Sequence, residues 1–138
     1  MPAAAAGHAH GSRQVLDLTT TITDRFGNAQ HAGSRFGATG NTTKTRTGKP
    51  FGTFVFDCVV GGRNAAPGIS VQCLQTLATP HGQITLQGTT QFTLEGTAPQ
   101  SFQEAITGGT GVYKKARGYA QFTVVPERSA RVVLHLST

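Results

Sequence analysis

Apolar and polar residues alternate along most of this chain, a period of two that predicts half-buried β-strands rather than helices. From Gln83 to Glu95 one face carries Ile84, Leu86, Gly88, Thr90, Phe92 and Leu94, and the other carries Gln83, Thr85, Gln87, Thr89, Gln91, Thr93 and Glu95. Thr53 to Val60 sets Phe54, Phe56, Cys58 and Val60 against Thr53, Val55, Asp57 and Val59. Ser129 to Leu136 repeats the logic with Ala130, Val132, Leu134 and Leu136 inward. Val15–Thr23, Val71–Thr79, Ser101–Thr107 and Arg117–Val125 are further strands, and another lies within Gly33–Thr47. Turn signals separate them: Arg25 to Asn28, Gly61-Gly62, Pro67-Gly68, Pro80 to Gly82, Gly108-Gly109 with Gly111, and Pro126. No helix is predicted. Seven or eight antiparallel strands in one short chain predict an all-β sandwich or closed barrel.

Composition narrows the picture. A chain of 138 residues fits one domain. It can bury a core without metal or disulfide staples. Only 13% of residues are charged, which excludes a charge-driven disordered chain and a coiled coil. No apolar run reaches the roughly 18 residues that a membrane span needs. The net charge of +6 leans toward anionic ligands, but no segment interleaves basic and aromatic residues as nucleic-acid binding requires. Residues 1–13 read as a flexible tail before a domain spanning 14–138. His8 and His10 form an H-x-H pair without a third ligand, so no metal is expected. No signal-like segment is visible, and the default is a reducing, cytoplasmic compartment with free thiols. A cleaved leader would reverse that default to a secreted protein.

One block stands out: Ala105-Ile106-Thr107-Gly108-Gly109-Thr110-Gly111-Val112-Tyr113, followed by Ala116-Arg117-Gly118-Tyr119-Ala120. With Gly82 to Gly88 and Cys58-Val59-Val60 it resembles the allene oxide cyclase and dirigent families in order and spacing. The resemblance implies an all-β fold, a single eight-stranded antiparallel β-barrel with an apolar lumen, and assembly as a trimer or dimer. The glycines have a reason of their own, since Gly108, Gly109 and Gly111 suit a turn and Gly118 suits a close backbone approach.

The same resemblance implies a carboxylate on the first strand, where Asp17 stands for the family's Glu, with Thr19 where the family has Asn. The alternative is that Asp17 lies on the polar face of an amphipathic strand opposite Leu16, Leu18 and Ile22. Cys58 falls at the family's lumen cysteine and shares parity with Phe54 and Phe56. If its strand forms a symmetric hairpin with Val71–Thr79, Cys58 and Cys73 are opposed and can bond to each other, which competes with a thiol role. Glu104 lies between Phe102 and Ile106 on an apolar face. A lumen position would raise its pKa toward that of a general acid or base, whereas a twist would expose it at the rim or pair it with Arg117 or Lys115. Tyr113 follows the glycine turn at a barrel mouth, and His81 is a turn residue. Asn41 lies near another polar position of the cyclase site.

The leading expectation is a cofactor-free cyclase or isomerase that folds a small, unsaturated, anionic intermediate of oxylipin or other natural-product type. Asp17, Glu104 and Cys58 are its catalytic candidates. Phe54, Phe56, Thr19, Asn41, Thr90, Phe92, Tyr113 and Phe122 are its substrate-binding candidates. Its partner is a small apolar or amphipathic substrate, with no nucleic acid and no membrane. The alternative is a non-catalytic dirigent-like or lipocalin-like binder of an apolar ligand, and a third is a purely structural protein whose lumen is filled by Phe and Leu.

Overall fold

The alternating segments all become strands, and they close on themselves. A computed structural model describes residues 13–63, 68–95, 97–125 and 128–138, with only the backbone of Arg63. The Pro67-Gly68 and Pro126 turn signals and the His8/His10 pair fall wholly or partly outside the described residues. The strands are β1 (Arg13–Gly27), β2 (Arg35–Lys44), β3 (Pro50–Arg63), β4 (Ile69–Thr79), β5 (Gly82–Phe92), β6 (Ser101–Gly109), β7 (Arg117–Val125) and β8 (Ser129–Ser137). Each pairs antiparallel with its neighbour in sequence, and β8 returns to pair with β1 from Arg13↔Ser137 to Thr21↔Ser129. The result is a closed eight-stranded up-and-down barrel, which leaves no edge strand. Among the described residues the one element besides the strands is a 3-10 turn, Gly111–Tyr113, between β6 and β7.

Two turn signals prove to belong to strands. Gly61-Gly62 lies inside β3, where the register slips between Val60 and Arg63; without side chains to hold the pleat, the pair absorbs a bulge. Arg25 and Phe26 still pair with β2, and the reversal begins only after Gly27, at φ +67°. Conversely β5 stops at Phe92, leaving Leu94 exposed in the following connection. Gly118 is a close-approach position as expected: it sits at φ +134°, and a Cβ there would collide with the His135 carbonyl of β8.

Inside the barrel the two ends differ. Leu18, Leu77, Ile84, Leu86, Leu134 and Leu136 interlock at the end that holds the β2–β3, β4–β5 and β6–β7 connections. Tyr113 and Phe51 pack against that cluster and close the floor. Toward the other end Phe36, Phe56, Ile69 and Phe92 surround Cys58, Val71 and Cys73 without filling the axis. An eight-stranded barrel is just wide enough for side chains or for one small ligand. This one fills its lower half with side chains and leaves a cavity in its upper half.

Candidate functional site

The open half of the lumen forms a cavity of about 300 Å³, at the lower limit of small-molecule sites. Its wall is aromatic. Phe36, Phe54, Phe56, Phe92, Phe102 and Phe122 all border it. Phe102 and Phe122 stack across β6 and β7 at 4.8 Å between centroids and 7° between planes, and Phe54 lies parallel to Phe56 at 6.3 Å. Strict alternation puts these rings inward, since each shares parity with a buried aliphatic on its own strand. The β5–β6 connection folds over one side of the mouth, where Ala98 and Pro99 join the lining, and Val124 N–H donates to the Gln100 carbonyl at 2.8 Å.

Glu104 is the carboxylate among the described residues of this wall, and it is 3% exposed. It pairs with Ala120 on β7, and its Oε1 is buried without a hydrogen-bond partner among the described residues. Burial pushes its carboxyl up from 4.5 to about 7, because the charged form has lost water and gained no cation. Neither Arg117 nor Lys115 reaches it; Arg117 donates to the Ala116 carbonyl instead. Gly88, across the β5–β6 ladder, makes the room. A Cβ at 88 would stand 3.3 Å from both Glu104 Cα and Cγ and 3.2 Å from the Gln103 carbonyl.

Other polar groups share the cavity. Gln75 of β4 is 7% exposed and faces the lumen, with no hydrogen bond to its amide among the described residues. Thr90 borders the cavity from β5. Thr20 does so from β1, its hydroxyl donating to the Ala130 carbonyl at 3.3 Å. At the rim stand Arg25 and Arg128, both exposed. Sequence reasoning missed Gln75, although its parity with Val71, Cys73 and Leu77 on an anticipated strand carried the signal. The rim arginines gave none, because each lies beside a turn where alternation ends.

Several anticipated site residues lie elsewhere. Asp17 is on the outer face of β1 and takes a bidentate ion pair from Arg131 of β8, at 3.0 Å from Nε to Oδ1 and 2.6 Å from Nη2 to Oδ2. That pair holds its carboxyl below the usual value, so Asp17 is a charged surface group and its lumen assignment is corrected. The cause is parity: Leu16, Leu18 and Thr20 take the inward positions. Thr19 shares the outward face and hydrogen-bonds Thr45 at 2.9 Å, so it is no cavity residue. Asn41 is exposed between Thr21 and Thr53, and Thr42 beside it is the residue turned inward. Tyr113 sits at the floor rather than the mouth, its hydroxyl raised in pKa by burial. Cys58 borders the cavity but is bonded to Cys73, directly opposite in the β3–β4 ladder as a symmetric hairpin requires. A nucleophilic or acidic thiol at 58 is thereby corrected, since the sulfur carries no proton.

No protein-family model and no curated protein sequence matches the chain. Solved structures do. The chain superposes on a pyocyanin demethylase at a TM-score of 0.75 with 20% identity, covering 90% of this chain and 100% of that one. An exo-specific intermolecular Diels-Alderase matches at 0.75 and 14% identity, over 93% of this chain and 100% of the other. A pterocarpan synthase dirigent protein matches at 0.71 and 15% identity, over 99% and 94%. This chain shares its barrel with cyclases and dirigent proteins. At these identities the likeness is one of fold, and the chemistry has to be argued from the cavity.

Proposed function

We propose that the protein is a cyclase or isomerase that takes one small, unsaturated, anionic molecule into the open half of the barrel and directs its ring closure, with Glu104 handling the proton. The carrying observation is the buried Glu104 carboxyl, its Oε1 without a hydrogen-bond partner among the described residues, in a cavity walled largely by Phe rings. With a pKa of about 7 the group is largely protonated in mildly acidic solution and can donate to an oxygen on which charge develops, an acid–base contribution of roughly 100- to 10,000-fold. The Phe walls restrict a flexible chain to near-bonding geometry, which supplies several kcal/mol more. The Gln75 amide offers a second hydrogen bond to the same oxygen. Arg25 and Arg128 receive the anionic end at the rim. The reading asks for no cofactor, and the similarity to allene oxide cyclases points to an oxylipin-like substrate, with polyketide or terpenoid intermediates equally suited to an apolar barrel.

The test uses anilinonaphthalene sulfonate, an apolar anion, as the occupancy probe and unsaturated fatty acids as competitors. The acids displace the probe more strongly than the matching alcohols, and R25Q/R128Q removes that preference. With an accepted substrate, E104Q retains binding and loses formation of the isomeric product, while the wild-type rate falls as pH rises through about 7. Full turnover in E104Q would leave a dirigent-like binder, which shapes its ligand without acid or base chemistry. No probe binding at all would leave a structural barrel.

A further inference from the structure

Charge is distributed unevenly between the two ends of the barrel. At the floor Arg13 and Arg117 flank Ser137 where β1 and β7 meet the end of β8. Lys44, Arg46 and Lys49 surround the β2–β3 turn, which lies against β1 through the Thr45 N–H bond to the Asp17 carbonyl. Lys114 and Lys115 follow the 3-10 turn, which is fastened to the β4–β5 turn by the Val112 N–H bond to the His81 carbonyl. All these cations are exposed, and none has an ion-pair partner among the described residues. The nearest acid, Asp17, feels Arg46 but is already bonded to Arg131. By contrast Asp57 pairs with Arg35 on the wall, and Asp24 and Glu95 lie toward the mouth.

The most exposed large aliphatics of the described chain lie at this same end: Val112 at 63% and Val15 at 61%. Val112 sits in the 3-10 turn directly before the paired lysines, and Val15 lies one outward position from Arg13. We propose that the floor is a docking face for an anionic lipid surface, with Val112 seated among the head groups and the surrounding cations on their phosphates and carboxylates. A cluster of cations attracts any polyanion. A protruding aliphatic beside the paired lysines favours a bilayer interface, where apolar side chains gain by insertion, over a phosphodiester backbone, which offers nothing to bury it in. The absence of a spanning segment does not bear on such a contact. Docking by the floor leaves the mouth free, so this inference stands apart from the proposed chemistry.

The test is sedimentation of the full chain with phosphatidylcholine vesicles, with and without phosphatidylserine. Binding is expected only with phosphatidylserine present, and it should be lost as salt is raised from about 0.1 M to about 1 M. K114Q/K115Q should weaken it roughly 30-fold and V112S about tenfold. Both variants change exposed positions, so melting temperature and probe binding at the mouth should stay as in the wild type. Failure to bind phosphatidylserine vesicles, or equal binding to neutral ones, overturns the proposal. So does a V112S variant that binds vesicles normally while K114Q/K115Q loses affinity for a short DNA duplex, because the face is then a nucleic-acid surface.

Discussion

The upper and lower halves of the lumen come from the same strands and obey the same alternation, yet one is solid and the other hollow. Branched aliphatics of similar size, such as Leu18, Leu86 and Leu134, interlock below and exclude solvent entirely. Above them the inward positions carry Phe rings that meet in pairs, Phe102 on Phe122 and Phe54 on Phe56 near parallel and Phe36 on Phe92 tilted by 54°, and border the cavity. Rings of that kind leave an axial space that no opposing side chain reaches. Residue shape at inward positions therefore sets where a small barrel stores stability and where it keeps room for a ligand.

That division can be broken most forcefully from below. L134A removes a fully buried side chain and should cost about 2–5 kcal/mol in chemical denaturation, because the packed neighbours cannot collapse into the gap. F92A, at the half-buried rim, should cost much less and instead weaken occupancy by the apolar probe. Equal losses from the two variants would mean that the upper half is packed as tightly as the lower.

The disulfide belongs to the hollow half, where it ties β3 to β4 beside the cavity. Closing a loop of 15 residues should stabilise the fold by about 3 kcal/mol, so C58S/C73S or reduction should lower the unfolding midpoint accordingly. Probe binding should persist in C58S/C73S at a temperature where the barrel remains folded. Loss of binding there would make the bridge part of the site's shape rather than a brace for it.

How much of this was legible in the sequence follows from what alternation encodes. Parity separated inward from outward residues on nearly every strand, and so anticipated an all-β sandwich or barrel, the Phe lining and, for a symmetric hairpin, the opposed cysteines at 58 and 73; the choice of the eight-stranded barrel came from the family likeness. It also favoured the outward face for Asp17, against the family likeness that argued for the lumen. Parity cannot say at which height along the axis an inward residue lies. That depends on the stagger between strands, and it is why Tyr113 was expected at a mouth and stands on the floor. Glu104 showed itself as a carboxylate on an apolar face, but its isolation follows only from seeing that no cation faces it. Gly88, which makes its space, read simply as a strand position.

Glu104 also has a cost that titration can expose. Below about 4.5 the carboxyl is protonated in both folded and unfolded chains and costs nothing. As pH rises from there to about 7 the unfolded chain releases the proton and the folded one holds it, so stability falls; above about 7 the whole penalty, on the order of 3 kcal/mol, is present. E104Q should therefore match the wild type near pH 4 and exceed it by about 2–3 kcal/mol near pH 8. G88A, which presses a methyl group on Glu104, should displace this pH dependence without removing it. A flat difference between wild type and E104Q across that range would mean that the carboxyl is hydrated and cannot serve as a proton donor near neutrality.

The smallest expected effect comes from the other carboxylate. At Asp17 the bond to the Arg131 guanidinium outweighs the partial loss of water, so its folded pKa is lowered. The stabilisation it contributes is present above the ordinary Asp value and disappears as pH falls through the lower folded one. The pair is exposed on the barrel's outer wall, where screening and side-chain entropy leave little net gain. D17N should shift the melting temperature by no more than a few degrees near neutral pH, with the difference vanishing in strong acid, and should leave both probe binding and turnover intact. Loss of turnover in D17N with an unchanged melting temperature would place the chemistry outside the cavity, since strand parity fixes Asp17 and Glu104 on opposite sides of the barrel wall.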